Sequence, residues 1–563
     1  MRPAPGRASA PVPWVAEAGR IAFRSSASRT ITCVTSWSNP LLARITWALW
    51  IGLLVTVPVT SFPLLSQTSG GETPVGPLSL IPLAGLVVIW LIPYLLLGGR
   101  LPAIAKPLLV FAALSVLSAG AAAFLPILPY KGQVPLGREI RALATLAIGL
   151  AFYLCASVLP DTEERRRTSV RAIYLGAVLV LAWATVQGWV VLSQADHVPL
   201  VVTQIQHLFS VRDPIADRVS GLAYEPSWLG NQLMVLYLPL LAAGALQRQS
   251  VFPFRRGWLS IETAMLLWAL LILALTKSRI SQISFLALAS LSLVALGWKA
   301  LVLVERRMRL TPPTGWGLHR LVLVACNGVL LVALLVGLLW GASSAVARFD
   351  DRLLALPSIR DRLDEIRYLY PNDVAYALGD RLAFAERLVY WGSAFRTFSL
   401  YPLLGVGPGN AGFFFEQTVP EYGFRLTEIR DLMREPSFGF PNPKNLWARL
   451  LAETGIAGFL LFSTWFVTFG IGAAILWRRG AGFERYLGLA GVIALVAQGI
   501  EGFSLDTFAL PQLWLVFGLS TAALWRSRTL GYEPAKVIVR TSAPSTSSKG
   551  ESSYAPWVCE PGL

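Results

Sequence analysis

The sequence predicts an all-α fold: a polytopic membrane helix bundle of about twelve transmembrane helices, with a large, partly helical loop on its outer side. Three observations predict it. Of 563 residues, 55% are hydrophobic and 14% charged, where a soluble protein carries roughly 25% charged residues. Mean hydropathy is +0.58. Apolar runs of about 20 residues recur, each long enough to cross a ~30 Å hydrocarbon core as a helix. An ordinary cytosolic enzyme, a disulfide scaffold and a mostly disordered chain are thereby excluded.

Residues 1–40, rich in Pro, Ala, Ser and Arg, show no short apolar region followed by a small-residue cleavage site. They are expected to form a disordered cytoplasmic tail before an uncleaved first span. Helices 1–9 are expected within 41–342, at about 43–63, 78–98, 107–127, 141–160, 172–193, 227–247, 258–276, 280–298 and 321–342. Only the polar TKSR segment separates the pair in 258–298. Residues 343–445 form the loop. Helices 10–12 follow within 446–526, at about 446–477, 485–504 and 508–526. The first of these is long for one span, so its opening turns are candidates for a position outside the membrane. Residues 527–563 include TSAPSTSSKGESS and have no amphipathic period, as in a disordered tail.

Lys and Arg orient the bundle. With an even number of spans both tails share one side, and that side carries 28 basic residues. The short loops opposite carry 7. Both termini are therefore expected in the cytoplasm and the 343–445 loop in the periplasm, as in a bacterial inner-membrane protein. The net charge of +16 follows from the same rule. No basic stripe with interleaved aromatics points to nucleic acid. Four cysteines without paired spacing and three histidines in all imply no metal centre.

A loop of this length is usually functional. In RLAFAERLVYWGSAFRTFS, Phe384, Leu388, Trp391, Phe395 and Phe398 fall within about 40° of one line at 100° per residue. They are expected to form a buried helical stripe, flanked by Arg381 and Arg387, with Arg396 further round. A helix lying on the bilayer with snorkelling arginines is the competing arrangement. The glycines of YPLLGVGPGN superficially suggest a dinucleotide fingerprint. No strand precedes them, so a tight turn after a helix is the better assignment.

Polar residues at outer boundaries are the candidates for chemistry. Glu225, in Tyr224-Glu225-Pro226-Ser227-Trp228, is either a carboxylate favoured by a helix start or a general base toward an acceptor hydroxyl. Lys277 and Arg279, in Thr276-Lys277-Ser278-Arg279, are costly against lipid but suited to a lipid diphosphate. Lys444 and Asn445 open the tenth span. Glu453, about two turns on, either pairs inside the bundle or caps a polar cavity. Glu501 and Asp506 are possible cation partners.

Taken in order, Arg279 after an apolar span, Arg387 in RLVYWGSAF, then PLLGVGPGN and NLWARLLAETGIAG resemble the O-antigen ligase and polymerase superfamily of bacterial membrane glycosyltransferases. The strongest match covers roughly 270–460. The resemblance implies transfer of a glycan from a polyisoprenyl diphosphate, such as undecaprenyl diphosphate, to an acceptor saccharide in surface polysaccharide biosynthesis. The acceptor is lipid A-core in lipopolysaccharide ligation, or a growing polymer in O-antigen or exopolysaccharide synthesis. It implies no metal and no other cofactor. Arg279 and Arg387 would contact the diphosphate, with Lys277, Arg381 and Asn445 as further substrate-binding residues. The ligases usually place a histidine near the asparagine that opens the late helix. Here the stretch reads Pro441-Asn442-Pro443-Lys444-Asn445. Another group must then act as base, with Glu225 preferred over His207 and His197, or Lys444 serves as a phosphate clamp. That departure favours a polymerase or exopolysaccharide role. The alternative class is a transporter of lipid-linked oligosaccharide or a small anion, which predicts a repeat between the two halves that the sequence does not display.

Overall fold

The computed structural model describes residues 39–68, 75–193, 197–252, 255–256, 259–307, 384–435 and 439–529. Residues 1–38 and 530–563 of the two expected tails, the expected ninth span at 321–342, and residues 343–383 of the loop, Arg381 among them, lie outside the described residues.

The described chain is a helical bundle. Six helices are long and apolar enough to cross a membrane: α4 (Ala103–Ala122), α5 (Pro135–Val158), α6 (Glu163–Leu192), α8 (Pro226–Gln247), α13 (Leu446–Arg479) and α14 (Gly482–Glu501). Shorter apolar helices are α1 (Pro40–Thr56), α3 (Leu80–Leu96), α9 (Ile261–Leu275) and the apolar part of α10 (Arg279–Arg307). Small helices α2 (Pro63–Thr68) and α7 (Leu200–His207) lie between them, and α15 (Gln512–Thr529) ends the described bundle. The only ladder among the described residues is a two-residue antiparallel ribbon, Arg255–Arg256 with Leu259–Ser260.

Local chemistry sets several boundaries. Thr162 caps α6 by accepting from the Arg165 N–H, with Glu163 and Glu164 in the first turn. The helix therefore starts well before its apolar stretch. The TKSR segment is a tight corner: α9 ends at Leu275, Lys277 takes a left-handed φ of 48°, and α10 starts at Arg279. Helices α5, α13 and α15 share an aromatic core, in which Trp465 lies 5.5 Å from Tyr153 and 5.6 Å from Trp514. Tyr153 with Thr521, and Tyr174 with Tyr486, join helices by buried hydroxyl bonds. Such contacts add directionality where lipid supplies little hydrophobic drive.

The long helix α13 is broken. Gly455 sits at φ 63°, ψ −168°, outside any helical region. The glycine-rich segment fills the break. Val406 and Gly407 donate to the carbonyls of Ala452 and Glu453, at 3.0 Å each. Ile456 and Ala457 donate to Pro402 and Leu403. The turn thus replaces the hydrogen bonds that the helix loses, as buried backbone groups require. Gly405, Gly407 and Gly409 all have positive φ, and a Cβ on Gly405 would collide with the Glu453 backbone. The glycines are a clasp for α13.

One expectation is corrected. On α11 (Ala385–Leu400) the buried residues are Ala385, Val389, Tyr390, Ser393, Ala394 and Thr397. The aromatic stripe of Phe384, Leu388, Trp391, Phe395 and Phe398 lies on the opposite side, and Phe395 is exposed. Small residues occupy the part of the inner face that packs close to α13, where Ala394 meets Ala448 and Ala452, while Val389 and Tyr390 face the loop's own core. Beyond α11, Phe415, Val419, Tyr422, Leu426 and Ile429 form a small core with Tyr390. This part of the loop caps one end of the bundle and ends in α12 (Thr427–Arg434).

Candidate functional site

Beneath that cap lies a cavity of about 650 Å³. The first turns of α5, α8 and α13 open on it, and the α14–α15 connection closes one side. Three helix starts place partial positive charge at the same end of the bundle. Its charged lining comprises Arg138, Arg141, Arg387, Lys444 and Arg449 against Glu225, Glu453 and Asp506.

The turn before α13 is built from its own side chains. Lys444 N–H donates to Asn442 Oδ1, and Asn445 Oδ1 accepts from the Trp447 and Ala448 N–H groups. The two asparagines therefore shape the corner. Lys444 is held left-handed at φ 48°. Its Nζ lies 3.0 Å from Glu428 Oε1 and 4.2 Å from the Tyr390 ring centre. The Tyr390 hydroxyl donates to the same Glu428 oxygen at 2.8 Å. Burial pushes the Glu428 carboxyl up. The Lys444 ammonium and the hydrogen bonds from Lys444 and Tyr390 outweigh it and hold the group below its ordinary value. Burial, and next the Glu428 carboxylate, push the Tyr390 phenol up. Arg387 Nη1 reaches the carbonyls of Lys444 and Ser504, at 3.2 and 3.3 Å. It ties the cap to both the turn and the α14–α15 connection.

On the opposite wall, Arg449 Nε meets Glu453 Oε2 at 2.9 Å, and its Nη1 donates to the Asp506 carbonyl at 2.8 Å. Arg212 Nη1 donates to Glu225 Oε1 at 2.7 Å, and Ser227 Oγ donates to Oε2 at 3.0 Å. An ionised carboxylate accepts about four hydrogen bonds, so these leave Glu225 with capacity. Asn410 meanwhile binds Glu139 at 2.6 Å, anchoring the glycine clasp to α5.

The fold brings Glu225, Arg387 and Lys444 to one cavity. Arg279 and Lys277 are not among its lining residues. They lie at the same end of the bundle, on the α9–α10 corner. There Ser278 and Ser281 bond to each other and pack against Gly230 of α8. Asn445 is buried with its carbonyl oxygen committed to the cap. Arg138, Arg141 and Arg449 were not expected. Arg449 and Glu453 form an i, i+4 charged pair within an apolar helix, which is itself a functional signal. Arg138 and Arg141 are two of the few basic residues on the sparsely basic side.

A helical bundle with six helices able to cross a membrane, capped at one end over a pocket with more cations than carboxylates, is the architecture of a multi-pass membrane protein. Residues 264–463 match the family model described as O-antigen ligase. Over that segment the chain is similar to the O-antigen ligase superfamily of bacterial membrane glycosyltransferases. A comparison with curated proteins finds no match.

Proposed function

We propose that the protein transfers a glycan from a polyisoprenyl diphosphate to an acceptor saccharide, at the periplasmic face of the inner membrane, without a metal. The observation that carries this is the convergence of Arg387, Lys444, Arg449, Arg138 and Arg141 on one pocket that also holds Glu225. Arginine forks make bidentate, charge-assisted bonds to phosphate oxygens. Donors aimed at the leaving diphosphate stabilise charge as the sugar–oxygen bond breaks. In the reaction the acceptor hydroxyl oxygen bonds to the anomeric carbon. The anomeric carbon–oxygen bond breaks, and the diphosphate departs with the electron pair. Glu225 takes the hydroxyl proton, held in place by Arg212 and Ser227. Arg387 and Lys444 hold the diphosphate from the cap side. Arg279 and Lys277 act from the neighbouring corner, and Arg381 and Asn445 complete the substrate-binding set.

The test uses purified full-length protein, a lipid-diphosphate glycan donor and an acceptor saccharide. Arg387→Ala is expected to lower turnover about 10- to 100-fold, the equivalent of one or two charge-assisted bonds. Glu225→Gln should lower it with binding of the donor retained, and a chelator should leave the wild-type rate unchanged. Product formation unchanged in both variants would overturn the assignment, and vesicle transport without any glycan product would favour a carrier. In a strain lacking the protein, loss of polymer length identifies a polymerase, and accumulation of free lipid-linked polymer a ligase.

A further inference from the structure

The cavity has a second chemical character, and it is graded along one helix. On α5, residues 138, 141, 142, 145 and 148 recur at helical spacing and therefore share a face. All five line the cavity. The face begins with Arg138 and Arg141 and continues through Ala142 and Thr145 to Ile148, about 15 Å deeper at 1.5 Å per residue. Leu65 of α2 and Leu80 at the start of α3 line the same cavity. Ala144 both lines it and is exposed on the outside of the bundle. On α3, Ile81 and Val88 are exposed at 54% and 67%. The cavity therefore reaches the outside of the bundle at Ala144, on the side where α3 presents exposed apolar side chains. A pocket that is cationic at one end and apolar along its lateral wall fits an anionic amphiphile.

We infer that the face of α5 from Arg138 to Ile148, with Leu80 opposite, seats the carrier lipid: Arg138 and Arg141 bind the phosphate nearest the hydrocarbon, and the isoprenoid tail runs past Thr145 and Ile148 out to the bilayer. This rests on the diphosphate-donor reading and adds to it the route of the tail. The N-terminal half of the chain, outside the matched segment 264–463, then supplies the lipid seat. The matched segment supplies the cap-side clamp.

Binding to the full-length protein in detergent tests the seat, with three probes: farnesyl diphosphate, inorganic pyrophosphate and phosphatidylglycerol. Ala144→Trp and Ile148→Trp each place an indole on the tail path. Each is expected to weaken farnesyl diphosphate binding about tenfold or more, since several buried methylenes are displaced, while pyrophosphate binding stays unchanged. Arg138→Ala should weaken both. Ala144 is exposed, so its variant serves should Ile148→Trp fail to fold. Farnesyl diphosphate bound as tightly by both tryptophan variants as by the wild type overturns the seat. So does displacement by phosphatidylglycerol at equal concentration, which would mark a general lipid groove. Pyrophosphate bound without any gain from the farnesyl chain sinks the tail route alone and leaves the diphosphate reading standing. Failure of the wild type to bind either phosphate probe sinks that reading itself.

Discussion

The two walls of the cavity hold their cations in different ways. On the α13 wall, the Arg449 and Glu453 side chains are 16% and 8% exposed and sit one helical turn apart, with the Asp506 carbonyl as a third member. On the cap wall, Lys444 and Glu428 are 36% and 44% exposed and come from separate elements of the loop. A buried pair is costly to break, because the survivor is left charged and desolvated. A half-exposed pair contributes little and exchanges partners easily. The first wall is therefore architecture. The second holds a cation that is free to change partners.

The largest effect is expected from Glu453→Ala. It strands Arg449 at the break in α13, and unfolding in detergent should show a loss of about 3–5 kcal/mol. The double variant with Arg449→Ala should recover part of it, and an additive result would show that the two side chains are uncoupled. Next comes Gly405→Ala. A Cβ there meets the Glu453 backbone and the residue sits at φ 68°. A destabilisation of roughly 1–3 kcal/mol is expected, read from the same unfolding curve. The smallest is Glu428→Gln, expected to change stability by less than about 1 kcal/mol and to alter apparent donor affinity through Lys444. Acidification should imitate it. The folded-state Glu428 value is depressed, so its contribution is present above the ordinary carboxylate range and lost as pH falls through the depressed value. A donor affinity that is flat from neutral pH to well below that range, in wild type and variant alike, would remove Lys444–Glu428 from the comparison.

Much of this was legible in the sequence, for identifiable reasons. Periodicity and run length located the apolar helices, because crossing a bilayer demands about 20 apolar residues in succession. The corner at TKSR and the excess length of the helix at 446 were also readable, since a short polar interruption and an over-long apolar run have few solutions. Glu225 and Lys444 stood out as charges at helix boundaries, and Arg387 through its place in RLVYWGSAF. The inner face of α11 was misread, because a wheel ranks residues by hydrophobicity. Close packing against α13 selects small side chains at that contact, and the aromatic stripe turns away from it. Arg138 and Arg141 were passed over because each looks like an interfacial cation until α3 and α13 are placed beside it.

The amino-acid order by itself determined the helical membrane class, the polar corners and the likeness of the central segment to the O-antigen ligase family, since each follows from local composition, spacing and motif. Only the tertiary structure decided which charges share a pocket. It set Glu428 beside Lys444, Arg212 beside Glu225, and the glycine turn into the gap at Gly455. Those partners are separated along the chain by anything from a dozen to some fifty residues, and their meeting depends on how the helices pack. Hydrogen bonds and ion pairs act over a few ångströms, so no pattern along the chain can specify them before the fold brings their ends together.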